Sequence, residues 1–217
     1  MKIALLGAES TGKSELSSQL QQYFLGLGKT ARLIPEYLRT WCDENKRTPR
    51  KDEQLAIATE QIRQIDSAPL TDSTGDILLA DTTALTVAVY SDLLFSDTSL
   101  YDMALAHQRS FDATLLMGLD LPWVQDGIQR DGAHLRGPVD TALRASLTRG
   151  GIQFQVVYGT GESRLHNALR CLNSHVEATA SEDSTLKSQP QRLRNWVCER
   201  CSDPVYEHRL FRDLIQK

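Results

Sequence analysis

One stretch near the start of the chain constrains everything after it: Gly7-Ala8-Glu9-Ser10-Thr11-Gly12-Lys13-Ser14. It fits the spacing G-x-x-x-x-G-K-[ST]. Before it, Lys2-Ile3-Ala4-Leu5-Leu6 reads as a short buried strand, and residues 13–27 after it read as a helix. A glycine-rich turn between a buried strand and a helix start aims backbone N–H groups and the positive helix end at one point. That arrangement suits a polyphosphate anion. In this reading Lys13 reaches the β- and γ-phosphates, and the Ser14 hydroxyl binds Mg²⁺. Gly7, Glu9, Ser10, Thr11 and Gly12 complete the cofactor-binding loop. Glu9 occupies a place the generic pattern leaves open. Beside the γ-phosphate it would hold a Mg²⁺-bound water or orient an acceptor.

The rest of the chain alternates apolar runs with helical patterns. Leu16, Leu20 and Phe24 form one helix face, with Tyr23 and Leu27 on the same side. Strands are expected at 30–34, 76–81, 113–117 and 154–158. Helices are expected at 36–44, 52–67, 83–95, 99–110, 139–148 and 163–175. In the second of these, Leu55, Ile57, Ala58, Ile62 and Ile65 make the buried stripe. Trp41 and Cys42 belong to helix packing. Continuous apolar strands separated by helices predict an α/β fold: a five-stranded parallel sheet with helices on both faces. With the phosphate loop after the first strand, this is a P-loop NTPase of nucleoside- and nucleotide-kinase-like type. In open sheets of this kind the site lies beyond the carboxyl ends of the strands.

The residues just past each strand are therefore the candidates. Glu36 follows the second strand, and Arg39 shares its helical face. The pair reads as a base or ribose ligand with its anion-holding partner, or as a plain surface ion pair. Asp81 ends the third strand. It can bind Mg²⁺, accept the proton of an attacking hydroxyl, or cap the next helix. After the fourth strand, residues 122–137 hold Trp123, Asp126, Arg130 and Arg136 among glycines. This is the composition of a lid that excludes water and brings cations to developing charge. Trp123 would stack on a flat ring, and Asp126 would hydrogen-bond a ribose or amide. The catalytic set is thus Lys13, Glu36, Asp81, Arg130 and Arg136. Glu36, Arg39, Asp81, Trp123 and Asp126 form the acceptor side.

Bulk properties narrow the partners. A net charge of −4 argues against general nucleic-acid binding. No apolar run reaches the roughly 20 residues that span a bilayer, and Met1-Lys2 leads straight into the first strand, so no leader is expected. Four cysteines in 217 residues do not make a disulfide framework, which suggests a reducing cytoplasm. A small-molecule substrate is expected, with neither nucleic acid nor membrane as partner; a homo-oligomer is compatible with all of this. Residues 1–176 read as the catalytic domain, 177–191 as a mobile linker rich in Ser, Thr, Glu and Gln, and 192–217 as a tail. The tail carries Cys198, Cys201 and His208, which can supply three ligands of a tetrahedral zinc site. Cys171, His175 or Asp203 would have to supply the fourth. The competing reading is two reduced cysteines on a helix that Trp196, Leu210, Phe211 and Leu214 dock on the core.

Taken together, the phosphate loop, Glu36-Tyr37-Leu38-Arg39, Asp81-Thr82-Thr83 and Pro122-Trp123-Val124-Gln125-Asp126-Gly127 resemble the ribosylnicotinamide kinase domain of NadR-type proteins of NAD metabolism. The order of these motifs matches across about residues 1–175. The resemblance implies ATP- and Mg²⁺-dependent phosphorylation of the 5′-hydroxyl of nicotinamide riboside, giving nicotinamide mononucleotide and ADP. It implies a stand-alone form, since neither an adenylyltransferase nor a DNA-binding unit precedes the first strand. The family pattern has Arg two places after Asp-Gly; here Gln129 occupies that slot and Arg130 follows. Other nucleosides or small alcohols, and a regulatory nucleotide switch, are the alternative readings.

Overall fold

A computed structural model describes residues 1–68, 76–124 and 132–182. In chain order the elements are β1 (Lys2–Leu6), α1 (Lys13–Gly26), β2 (Ala31–Ile34), α2 (Tyr37–Asn45), α3 (Gln54–Asp66) and β3 (Ile77–Asp81). They continue with α4 (Ala84–Phe95), α5 (Tyr101–Gln108), β4 (Ala113–Met117), α6 (Arg136–Arg149), β5 (Gln155–Val157) and α7 (Gly161–Glu182). The five strands form one sheet in the order β2-β3-β1-β4-β5, all pairings parallel.

Both faces of this sheet are covered, which is why its strands lack polar alternation. Ile3, Leu5, Leu79 and Leu115 meet Leu16, Leu20 and Phe24 of α1 and Ala168 and Leu172 of α7. Leu6 and Leu116 point the other way, onto Ile57 of α3, Leu85 of α4 and Leu143 of α6. Central β1 has β3 on one side and β4 on the other, so the phosphate loop leaves the sheet where the crossovers diverge. No described helix is long and apolar enough to cross a membrane.

Several helix faces and ends differ from the sequence expectation. In α1 the four-residue step Leu16–Leu20–Phe24 takes the whole buried face, and Tyr23 and Leu27 are 40% and 57% exposed. Leu27 is the C-cap, past the last helical turn. In α3 the buried positions are Gln54, Ile57, Ala58, Gln61 and Ile65, while Leu55 is 55% exposed. Leu55 sits about 100° around the helix from that stripe, and two glutamines take the place a simple apolar count gives to leucine. Helix α6 starts at Arg136, ahead of the expected 139, with Pro138 in its first turn where a missing N–H costs nothing. Helix α7 continues to Glu182, through the beginning of the segment read as a linker. The alanines at 178 and 180 favour that continuation.

Gly118 follows β4, and a Cβ there would overlap the Tyr158 ring. Gly118→Val should cost about 1–3 kcal/mol, as overpacking does. Denaturant unfolding checks this; an unchanged midpoint would mean that the ring yields freely.

Candidate active site

The phosphate loop is shaped by its own sequence. Gly7 has φ +153°, and a Cβ there would press on Thr11 Oγ1 at 2.8 Å and Met117 Cβ at 2.9 Å. Gly12, at φ +74°, is the N-cap of α1 and offers no capping side chain. The helix start therefore has no cap from its own N-cap side chain, an arrangement that suits an external anion. Thr11 is fully buried, and its hydroxyl donates to Ala8 O at 2.7 Å, closing the turn. Lys13 Nζ folds back to donate to Gly7 O and Ala8 O, both at 3.0 Å. Its charge is held at the loop by weak neutral acceptors that phosphate oxygens can displace. Ser14 is exposed on the first turn of α1.

Beside the loop opens a cleft of about 1340 Å³. Gly7, Glu9, Ser10, Thr11, Gly12, Lys13 and Ser14 line one part, and Glu36, Arg39 and Asp81 line it as well. The sequence candidates from β1, β2 and β3 are thus brought to one space. Leu38, Tyr90, Leu94 and Phe95 supply an apolar wall. A pocket for a single drug-sized ligand is roughly 300–1,000 Å³, so this cleft has room for two.

Asp81 is 5% exposed, and its Oδ1 is buried with no hydrogen-bond partner among the described residues. It does not cap α4. Thr83 does, its hydroxyl accepting from Leu85 N–H at 3.3 Å. The capping alternative is therefore removed, and the carboxylate is left facing the cleft. An anionic oxygen with unmet hydrogen-bonding demand fits a hard cation or an acceptor hydroxyl. The next residue, Thr82, holds φ +79°, unusual for a β-branched side chain. Its N–H is tied to Leu5 O at 3.1 Å. Such strain, about 1–3 kcal/mol, persists where surrounding structure fixes it, here directly behind the carboxylate.

Glu36 is the N-cap residue of α2 without a side-chain capping bond. The turn that presents it is clamped by buried Gln61 of α3. The amide oxygen of Gln61 accepts from Tyr37 N–H at 2.7 Å, and its Nε2 donates to Pro35 O at 3.3 Å. One side chain thus fixes the backbone on both sides of Glu36. Further along, Arg47 pairs with Glu53 through two hydrogen bonds of 2.7 and 2.6 Å and stacks over Trp41 at 4.8 Å. Arg47 holds the Glu53 carboxyl down to about 2. This brace carries Thr48, Pro49 and Arg50, which also line the cleft.

The stretch after β4 is anchored at two points. The Ser10 hydroxyl donates to Val124 O at 2.8 Å and accepts from Val124 N–H at 3.2 Å. Arg136 Nη2 donates to Leu121 O at 2.8 Å. Leu121, Pro122 and Val124 line the cleft; Trp123 and Arg136 do not. Trp123 is half-buried, and its Nε1 has no hydrogen-bond partner among the described residues. Asp126 and Arg130 lie outside the described residues.

Cys198, Cys201, His208 and Asp203 also lie outside them. Among the described residues there is no cluster of three or more side chains able to hold a metal. Burial pushes the Cys171 thiol up.

Gln61 is one residue that sequence reasoning missed; a glutamine inside an apolar helix stripe was its only signal. Arg164 is the other. It lies in the first turn of α7, where the helix dipole disfavours a cation, and that placement was the signal that it must be paired.

A central parallel strand feeding a phosphate loop, with carboxylates from neighbouring strand ends lining the same cleft, defines a P-loop protein of nucleoside-kinase-like fold. A family model described as an AAA domain matches residues 2–164, and the chain belongs to that family. No curated protein matches the sequence. Among solved structures, a NadR protein in complex with NR is similar with a TM-score of 0.64 at 18% identity, over 89% of this chain and 53% of that one. A NadR protein in complex with NAD and AMP-PNP gives 0.64 at 15% identity, over 88% and 51%. A deoxyadenosine kinase from M. mycoides, with products dCMP and a flexible dCDP bound, gives 0.54 at 17% identity, over 80% and 100%. These likenesses are of fold, and the chain spans about half the length of the NadR proteins it matches.

Proposed function

We propose that this protein is an ATP-dependent kinase that phosphorylates the 5′-hydroxyl of nicotinamide riboside. The observation that carries the reading is the single cleft that holds the phosphate loop together with Glu36, Arg39 and Asp81. A hydrolytic switch needs a triphosphate site alone. A cleft with a second, apolar-walled half and two carboxylates fits a donor and an alcohol acceptor side by side. The motif resemblance and the shared fold with NadR support the riboside as that acceptor.

In this reading the loop N–H groups and Lys13 hold the triphosphate. Ser14 and Asp81 would hold Mg²⁺, which supplies charge neutralisation on the phosphates. Glu36 and Asp81 position the acceptor, and whichever faces its 5′-oxygen takes the proton. Arg39 balances their charge. Trp123, Asp126, Arg130 and Arg136 would serve the acceptor and the transferring phosphoryl group from the segment after β4; Arg136, bonded to Leu121 O, does so by anchoring that segment. Catalysis is positioning and charge stabilisation, with no covalent intermediate.

The test is ADP release with ATP and Mg²⁺, with and without nucleosides. Release should rise many-fold with an acceptor present. Slow release that no acceptor changes would favour the switch and overturn the kinase reading.

A further inference from the structure

Arg164 is 3% exposed, which for a guanidinium demands compensation. Its Nη1 donates to Asp120 Oδ1 at 3.2 Å and to Gly159 O at 2.7 Å. Its Nη2 donates to Thr11 O at 2.7 Å, from 153 residues away in sequence. Asp120 Oδ2 in turn accepts from Gly159 N–H at 2.6 Å. One ion pair therefore ties together the loops that follow β1, β4 and β5, three strands adjacent in the sheet.

The contact with Thr11 has a directional consequence. In a planar trans peptide the C=O and the following N–H point in opposite directions. Anchoring Thr11 C=O on Arg164 turns the N–H of Gly12 away from Arg164. Gly12 is the cap of α1 that no side chain fills. A free glycine at φ +74° would otherwise let this peptide plane rotate. Arg164 is buried behind the loop and Asp120 is exposed at its edge; neither lines the cleft, so neither is placed to touch a ligand.

We infer that Arg164 is a positioning residue for the donor phosphates: it fixes the Thr11–Gly12 peptide plane so that the loop meets the anion ready-formed. The inference rests on the phosphate loop being the donor site, as proposed above. It predicts a loss confined to phosphate binding, because the acceptor wall is built from α2, α4 and the end of β3.

The experiment compares wild type with Arg164→Gln, Arg164→Lys and Asp120→Asn. The probes are Mg²⁺-ATP and inorganic tripolyphosphate for binding, donor and acceptor KM for kinetics, and Tm for folding. Arg164→Gln should weaken both probes by about ten-fold or more, the loss of one charge-assisted hydrogen bond. Acceptor KM should stay within about two-fold, since the acceptor wall is built from other elements than those the pair ties together. Arg164→Lys should recover part of the loss. Asp120→Asn keeps the guanidinium in place and should show a smaller loss of the same donor-side kind. It carries the test if Arg164→Gln does not fold. The inference is overturned if the folded variants bind both probes as wild type does. It is equally overturned if ATP binding falls while tripolyphosphate binding does not, which would make Arg164 a base-site residue. Parallel loss of donor affinity, acceptor affinity and Tm would reduce it to a structural pair. If wild type binds neither probe, the phosphate-loop reading itself fails.

Discussion

Lys13→Ala should reduce kcat by about 100-fold or more, in line with the ~10²–10³ cost of removing one strong transition-state donor. The ammonium sits on Gly7 O and Ala8 O, both at 3.0 Å, inside the curve of the loop. In transfer, negative charge develops on the γ-phosphoryl oxygens and the leaving β-phosphate, and a cation held there stabilises that charge more than the ground state. Alanine removes it while leaving Gly7, Thr11 and Gly12 to shape the turn. Gly7 lines the open cleft, and Ala8 O keeps the hydrogen bond from the Thr11 hydroxyl at 2.7 Å, so Tm should change little. Lys13→Arg should rescue poorly, since a planar fork does not replace a compact ammonium between two carbonyls. Near-normal kcat in Lys13→Ala would mean that the loop is not the donor site.

Asp81→Asn should cost a comparable amount, about 10²-fold or more. Every role left open to this residue, Mg²⁺ ligand or base, needs the negative charge, and asparagine keeps the shape without it. The structure shows no load on this carboxylate from α4, which Thr83 caps. Folding should therefore survive, and Tm should stay level or rise, because a buried oxygen without a partner is a stability cost. Kinetics at varied Mg²⁺ separates the two roles. A raised Mg²⁺ requirement marks a metal site. A lower kcat at unchanged Mg²⁺ requirement, with the acid limb of the pH profile lost, marks the base. Wild-type kcat at all Mg²⁺ concentrations would remove Asp81 from the site.

The parallel sheet was legible because a strand covered on both faces cannot alternate, and Ile77–Asp81 and Ala113–Met117 are buried at every position. Glu36, Arg39 and Asp81 were legible because strand ends of a parallel sheet converge on one edge. The strand order was not legible: apolar runs say that strands are buried, not which neighbours they pair with. Gln61 and Arg164 were not legible either, since each acts through backbone groups remote in sequence. Leu55 misled because period alone does not fix the phase of a stripe when buried glutamines belong to it. The start of α6 misled for a different reason: the helix was expected from 139, but Pro138 is tolerated in a first turn, and α6 begins at Arg136.

Product analysis with ATP, Mg²⁺ and a panel of nicotinamide riboside, adenosine, deoxyadenosine and cytidine tests the central claim most directly. The account predicts nicotinamide mononucleotide and ADP in equal amounts, with nicotinamide riboside the preferred acceptor. Good turnover of another nucleoside with none of nicotinamide riboside would contradict it.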